Sequence, residues 1–239
     1  MKELNTSFIT NFTVAIIPKN NTDPNKNPIG TGPFKFKEYL PGQRVVIQKF
    51  NDYWKKGVPM IDEVEFRIIT DDQAALLALL SGEIDMSPRI DVLQLDLLSD
   101  NFQVIKSEQN MVQLLALNHQ NKYFSDVRVR QAINYAVDKD EIINAVALGY
   151  GTKLGSNMSP VMKKYYREGL EDYYQTNVTK AKELLRQAGY PNGFRTTITV
   201  PSNYKFHVDT AQVIVEQLKK IGIIAEIEQV EWGVWLERV

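Results

Sequence analysis

The sequence has no cysteine and only two histidines. Without cysteine there can be no disulfide, no thiolate nucleophile and no cysteine-based zinc site. The absence of cysteine does not indicate whether the protein works in an oxidising or a reducing compartment. His119 and His207 lie far apart and form no helical His-x-x-x-His pattern, so a zinc hydrolase has no support. An α/β hydrolase would need a polar triad or a metal cluster, and the sequence supplies neither. We therefore expect no enzyme, no metal and no cofactor.

The sequence also lacks an excess of charge of either sign. Its 28 basic and 29 acidic residues give a formal net charge of −1, with no long run of one sign. Nucleic acid selects for dense clusters of Lys and Arg, so we expect no nucleic-acid partner. No apolar stretch approaches the roughly 18 residues of a membrane span. The hydrophobic content, 44%, is that of an ordinary globular protein.

The two ends of the chain lack the features of a complete secreted protein. The first residues, "MKELNTSFITNF", have neither the basic start nor the unbroken apolar core of a signal peptide. The protein is therefore either cytosolic, or this chain begins downstream of its natural start. The last residues, "VEWGVWLERV", directly follow a strand-like run and form no polar tail. We therefore expect the chain to be a fragment.

The first part of the chain is predicted to be rich in β-structure. "GPFKFKEYL" and "RVVIQKF" are typical of two strands joined by the turn "PGQ", and residues 62–70 predict a third strand. Residues 71–82 predict a helix with Thr70 or Asp71 at its N-cap and Gly82 just beyond its end. Residues 101–118 are predicted to be mostly extended, with strand signals at both ends.

The second part is predicted to be helical and then to form a βαβ unit. Residues 125–149 predict two helices, and residues 177–189 predict another. "RTTITV" (195–200) and "IIAEIEQV" (223–230) predict strands on either side of a helix over 206–222. Two such strands should be parallel with a right-handed crossover. Ligands in open α/β sheets lie beyond the carboxyl ends of parallel strands, which places 201–206 and 231–232 at a candidate site.

Five ordered motifs indicate a family. They are "GTGPF", "YW", "SGEID", "FSDVRVRQAINYAVDKD" and "KELLRQAGY", each weak alone and specific together. From about residue 15 to its end, the sequence resembles the family 5 extracellular solute-binding proteins. These are the peptide, oligopeptide and nickel receptors of bacterial ABC importers.

The resemblance implies an α/β fold with the two-lobed, type II architecture of periplasmic binding proteins, in which mixed sheets are flanked by helices. Residues 1–108 would form part of a β-rich first lobe, and residues 109–239 part of a second lobe that contains the βαβ unit. "EQNMVQLLALN" resembles a segment that crosses between lobes. The architecture would be incomplete, since the opening strands, an early subdomain and the segment after Val239 have no counterpart here.

The resemblance also implies which residues contact the ligand. Trp232 in "VEWGVW" looks like the pocket tryptophan of the family, and the loop 203–207 looks like the segment that contacts ligand side chains or a peptide terminus. "DMSPR" (85–89) would face the cleft from the first lobe, and "SNMSP" (156–160) from the second. The candidate residues are therefore Trp232, Asn203, Tyr204, Lys205, Phe206, His207, Met86, Ser87 and Asn157.

By the same resemblance, the protein would bind a ligand without making or breaking a covalent bond. An extended peptide would lie between the lobes, and lobe closure would present it to the permease subunits. Trp232 and Tyr204 would stack on side chains and Asn203 would bind a polar group. Lys205 would either neutralise a carboxylate or remain a solvated lysine. The setting would be extracytoplasmic, in the periplasm or as a lipid-anchored surface protein. A nickel chelate, haem or a sugar remains an alternative ligand, and a sensory or adhesive receptor an alternative role.

Overall fold

The computed structural model describes residues 16–98 and 100–238. The chain divides into two compact units between Ile90 and Asp91. We call them the first unit (Met1–Ile90) and the second unit (Asp91–Val239) and describe each by itself. The assignment of residues 1–108 and 109–239 to two lobes stays a prediction.

The first unit contains an antiparallel sheet and one helix. Strands β1 (Phe34–Leu40), β2 (Arg44–Lys49) and β3 (Glu63–Arg67) lie in the order β1-β2-β3. Helix α1 (Asp72–Leu80) follows the sheet. All four elements were predicted, because each is bounded by local turn or cap residues that the sequence shows directly.

The ends of α1 show how local the helix signals are. The Asp71 carboxylate accepts a hydrogen bond from the Ala74 amide, 2.7 Å away, as expected of an N-cap. Gly82 follows the last turn with φ +74°, a conformation that a glycine adopts without strain. Both residues therefore occupy the places that the sequence predicted.

The core of the first unit is small. Val46 is the single buried residue among the three strands, and α1 adds Leu76, Ala78 and Leu79. Burial of apolar surface is the main stabilising term in folding, at about 25 cal/mol per Å². The described part of this unit therefore gains little stability from buried apolar side chains of its own.

The strand signals over residues 101–118 were wrong. Residues 103–109 and 111–118 have no regular secondary structure. A strand forms only where a neighbouring strand accepts and donates its backbone hydrogen bonds. No strand among the described residues pairs with this segment, so its β-branched residues do not form a strand.

The second unit begins with a 3-10 helix (Val92–Leu97) and continues with three helices. They are α2 (Val127–Ala136), α3 (Lys139–Ala147) and α4 (Val178–Gln187). Each of the three has a side-chain N-cap, which explains why the sequence located their starts. Asp126, Asp138 and Asn177 accept from backbone amides at 2.8, 3.0 and 2.9 Å.

The βαβ unit is present as predicted. Strands β4 (Arg195–Pro201) and β5 (Ile224–Val230) pair in parallel, with Arg195 opposite Ile224 and Pro201 opposite Val230. Helix α5 (Lys205–Lys219) connects them. The structure adds helix α6 (Trp232–Arg238), where the sequence analysis had placed no helix.

The core of the second unit lies where α2, α4 and α5 meet the two parallel strands. Its buried residues come from all of these elements and from the turns that join them. They are Val129, Ala132, Ile133, Ala136, Ala181, Leu185, Phe194, Ile214, Leu218, Ile221, Ile223 and Ala225. None of the described helices combines the length and apolar character that would let it cross a membrane.

One backbone contact in this core requires glycine. Gly193, just before β4, has φ +72°, and a Cβ built on it would lie 1.9 Å from the carbonyl oxygen of Gly222. Any side chain at Gly193 would collide with backbone that cannot move independently. The turn before β4 and the turn after α5 therefore pack directly against each other.

Candidate functional site

The two parallel strands end at the same edge of their sheet, and both chain segments that leave them belong to the candidate site. The Ser202 amide donates to the Val230 carbonyl at 2.8 Å, which ties the segment after β4 to the end of β5. β4 leads through Asn203 and Tyr204 into α5. β5 leads through Glu231 into α6, which begins at Trp232.

Five rings gather at this edge, and we call them the aromatic cluster: Tyr204, Phe206, His207, Trp232 and Trp235. The Tyr204 and Trp232 rings meet edge to face, with centroids 5.4 Å apart. Trp232 stacks on Trp235 at 5.2 Å with nearly parallel planes. Tyr204 also meets the His207 ring edge to face at 5.6 Å. These are preferred aromatic geometries, so the rings hold one another in place.

The cluster is supported from below but open to solvent. Tyr204 is 42% exposed, Phe206 46% and Trp232 41%, whereas Thr210 and Ala211, one turn further along α5, are buried. Partly exposed aromatic rings supply apolar surface, and tyrosine and tryptophan each add one hydrogen-bond donor. The arrangement can therefore cover an apolar part of a ligand and donate a hydrogen bond beside it.

Of the expected loop 203–207, only Asn203 and Tyr204 lie outside helix α5, which begins one residue earlier than the predicted helix over 206–222. Lys205, Phe206 and His207 form the first turn of α5, and Tyr204 occupies the N-cap without a side-chain capping bond. The usual capping residues, Ser202 and Asn203, stand too early in sequence to cap this helix. Three of the candidate side chains are consequently held on a helix, which fixes them more firmly than a loop would.

Lys205 has an ion-pair partner within the helix. Its ammonium group pairs with the Asp209 carboxylate one turn later, and this hydrogen bond raises the pKa of Lys205. Both groups contact solvent, and such pairs contribute little to stability because water screens them. A ligand carboxylate could therefore compete with Asp209 for Lys205 at small cost.

His207 is bridged to a distant segment. Its Nδ1 atom lies 3.0 Å from the amide nitrogen of Gln113, and the Thr210 hydroxyl donates to the amide oxygen of Gln113 at 3.4 Å. Burial lowers the pKa of His207. Burial therefore favours the neutral form of the imidazole.

A charged clamp holds α6 on the sheet. The Arg238 guanidinium donates two hydrogen bonds to the Glu228 carboxylate, at 2.9 and 3.0 Å, and the Thr199 hydroxyl donates to the same carboxylate at 3.1 Å. The Arg238 hydrogen bond, followed by that of Thr199, lowers the pKa of Glu228. This fork joins α6 to β5 and β4, and so it helps to fix the position of Trp232.

The remaining candidates are not among the five rings. Asn203 is exposed beside Tyr204, and Asn157 is exposed in the irregular chain between α3 and α4. Met86 and Ser87 belong to the first unit, where Met86 is exposed and the Ser87 hydroxyl donates to the Arg89 carbonyl at 2.7 Å. The aromatic cluster therefore contains only the candidates from the end of the βαβ unit.

Sequence analysis missed three residues of the site. Trp235 follows Trp232 by three positions, a spacing that would have indicated one helix face had α6 been recognised. Arg238 would then have followed as a cation near the helix end. Gln113 could not have been found, because nothing local connects it to residue 207.

Neither a metal-binding cluster nor a cavity competes with the aromatic cluster among the described residues. Within residues 16–98 and 100–238, no group of three or more His, Cys, Asp or Glu side chains could hold a metal ion. The first unit contains a shallow cavity of about 450 Å³ along the segment from Lys49 to Met60. None of the candidate residues lines that cavity, so the aromatic cluster remains the candidate site.

Comparison with known proteins identifies the class. Residues 3–239 match the family described as bacterial extracellular solute-binding proteins, family 5 middle. The chain belongs to this family, which confirms the resemblance seen in its motifs. Because the family consists of solute-binding proteins, the expectation of a binding protein rather than an enzyme is confirmed as well.

Individual relatives show how much of the fold this chain contains. It is 30% identical over 219 residues to the glutathione-binding protein GsiB of Salmonella paratyphi A, covering 91% of this chain and 42% of GsiB. It is 35% identical to the periplasmic binding protein DppA of Helicobacter pylori, solved with the peptide STSA (TM-score 0.77; 98% of this chain, 45% of DppA). It is 34% identical to AgaA of A. tumefaciens R10, solved with agropinic acid (TM-score 0.70; 92% and 45%). The chain therefore has part of the mixed α/β periplasmic-binding-protein fold and spans less than half the length of these relatives.

Proposed function

We propose that this chain is part of the substrate-binding component of a bacterial ABC importer and that its ligand is an extended peptide or oligopeptide. The aromatic cluster is the observation that carries the proposal, because it joins exposed rings at the edge where two parallel strands end. Relatives support the peptide class: DppA was solved with the peptide STSA, and GsiB is named for binding glutathione, which is a tripeptide.

The cluster suits a ligand with a repeated backbone and varied side chains. Trp232 and Tyr204 would cover ligand side chains, since both rings leave about two-fifths of their surface exposed. Main-chain hydrogen bonds would supply much of the affinity, and water would fill the space around smaller side chains. Asn203 would bind a polar group, and Lys205 would exchange Asp209 for a ligand carboxylate.

A second candidate ligand is a small opine-like anion. AgaA, at 34% identity, was solved with agropinic acid. Such a ligand would use Lys205 and the tryptophan and tyrosine donors but would need less aromatic area than a peptide. Nickel chelates, haem and sugars remain further alternatives that the same experiment separates.

The setting follows from this role. We propose an extracytoplasmic location, in the periplasm or as a lipid-anchored protein at the cell surface, with the permease subunits of the importer as protein partners. The family description, extracellular solute-binding proteins, supports the location. Met86, Ser87 and Asn157 remain proposed ligand contacts on the strength of the resemblance alone.

Native mass spectrometry of the complete protein, as its gene encodes it and as purified from cells, tests the proposal. A ladder of peptide masses that disappears on denaturation is the expected result. A single mass matching an opine, a metal chelate or haem would replace the peptide class with that ligand. Titration calorimetry with STSA, glutathione and agropinic acid then ranks these ligands by affinity. STSA should bind most tightly.

A further inference from the structure

Gln113 connects the irregular segment 103–118 to the aromatic cluster. It is the only residue of that segment with a described side-chain hydrogen bond to α5, and it makes two such bonds, to His207 and to Thr210. Thr210 is buried and belongs to the packed side of α5, whereas His207 belongs to the cluster. One amide therefore joins the buried side of the helix to a ring of the aromatic cluster.

The direction of these bonds decides the state of the imidazole. The Thr210 hydroxyl donates to the Gln113 amide oxygen, which leaves the amide nitrogen facing His207 Nδ1. An amide nitrogen only donates, so Nδ1 must accept. In a neutral imidazole the other nitrogen then carries the proton, and Nε2–H becomes the donor.

The ring that Gln113 orients is in direct contact with the rest of the cluster. His207 meets Tyr204 edge to face, and Tyr204 meets Trp232 in the same manner. A rotation of the imidazole would therefore disturb the contact of Tyr204 with Trp232. The hydrogen bonds of Gln113 oppose that rotation.

We propose that Gln113 is a positioning residue for ligand binding, which fixes the rotamer and the tautomer of His207 so that its Nε2–H donates to an acceptor of the ligand, such as a peptide carbonyl or carboxylate. The proposal rests on the proposed function, because it takes the aromatic cluster as the ligand site. It adds a residue that does not itself touch the ligand.

The test uses the complete protein labelled with ¹⁵N and two variants, Gln113→Met and Gln113→Glu. In the unsubstituted protein without ligand, the ring nitrogens of His207 should show the Nε2–H tautomer by NMR. Gln113→Met should give a mixture of tautomers. At a pH high enough to keep the imidazole neutral, Gln113→Glu, whose carboxylate only accepts, should place the proton on Nδ1 and leave Nε2 without one. Both variants should bind the peptide STSA about 5-fold more weakly, the effect of one lost hydrogen bond.

Gln109→Met is the matched control, since Gln109 is exposed in the same segment. It should change neither the ring-nitrogen spectrum nor the affinity. In a double-mutant cycle, Gln113→Met should add little to the loss caused by His207→Phe, because both changes remove one interaction.

The Nδ1–H tautomer in the unsubstituted protein, or unchanged spectra and affinity in both Gln113 variants, would overturn the proposal. If Gln113→Met fails to fold, Gln113→Glu supplies the same two readings. Failure of the proposed function appears differently: the unsubstituted protein would bind no peptide, whereas the spectra without ligand would still report on Gln113.

Discussion

The two units of this chain are stabilised in different ways. Among the described residues, the first unit buries Val46, Leu76, Ala78 and Leu79, whereas the core of the second unit comes from three helices and two strands. The first unit instead has ion pairs across its sheet, such as Arg44 with Glu38 at 2.9 Å and with Glu65 at 3.5 Å. Exposed pairs of this kind contribute little.

The difference explains where the candidate site lies. Binding sites need side chains held by a rigid support, and α5, whose first turn carries two of the rings, contributes Ile214 and Leu218 to the larger core. Tyr204 and His207 belong to the start of a helix whose next turn is buried. The second unit therefore supplies both the rings and the structure that orients them.

The largest expected difference between the units comes from matched leucines. Leu185 is 1% exposed in the second unit and Leu76 is 4% exposed in the first. Leu185→Ala should cost about 4 kcal/mol and Leu76→Ala about 2 kcal/mol, because the cost grows with the cavity that the surroundings cannot fill. Hydrogen exchange measured by mass spectrometry on the complete protein would report each unit separately. Equal losses would show that the two cores are equally tight.

Matched glycines should give the next largest difference. Gly193 and Gly82 have nearly the same φ, +72° and +74°, but only Gly193 has backbone within contact of an added Cβ. Gly82→Ala should cost about 1 kcal/mol for the left-handed conformation alone. Gly193→Ala should cost about 3 kcal/mol, since it adds a collision with the backbone of Gly222. Similar melting temperatures for the two variants would contradict the close approach.

Two tryptophans test which unit binds through its aromatic residues. Trp232→Ala should weaken binding of the peptide STSA about 10-fold while the fold is retained, because it removes the central ring of the cluster. Trp54, 79% exposed in the first unit, provides the control, and Trp54→Ala should leave the affinity unchanged. Titration calorimetry measures both. Unchanged affinity in Trp232→Ala would remove Trp232 from the site.

The smallest effect should depend on pH. Burial lowers the pKa of His207, so below its ordinary value of about 6.5 the unfolded chain binds more protons than the folded one. The second unit should therefore lose a little stability as the pH falls from about 6.5 towards the folded pKa. The first unit has no histidine and should show no such change in this range. His207→Gln should remove the dependence in chemical denaturation followed at several pH values, and its persistence would assign it to another group.

The comparison also separates what the sequence could predict from what it could not. The starts of α1, α2 and α3 were predicted because Asp71, Asp126 and Asp138 directly precede these helices and accept from amides two or three residues later. The βαβ unit was predicted because β-branched runs and an apolar helix face follow each other within a short span. Such signals are local and depend little on the rest of the fold.

The features that the sequence analysis missed depend on contacts between distant parts of the chain. The strand signals of residues 101–118 needed a pairing partner that only the folded chain could reveal. Gln113 and His207 are 94 positions apart, so no periodicity or cap connects them. Helix α6 was missed because the sequence that follows Trp232 is too short to show a helical period. Site residues were therefore predictable where the βαβ topology determines their position. They were not predictable where only a long-range contact brings them to the site.

The exposure of the aromatic rings has a consequence for how this protein can vary. Tyr204, Phe206 and Trp232 lie at the ends of elements, and the buried residues that hold the domain together begin one turn away. Substitutions at these exposed rings therefore cost the fold little compared with substitutions in the core. Under the proposed function, ligand preference can therefore change through substitutions at the rings while the domain stays folded.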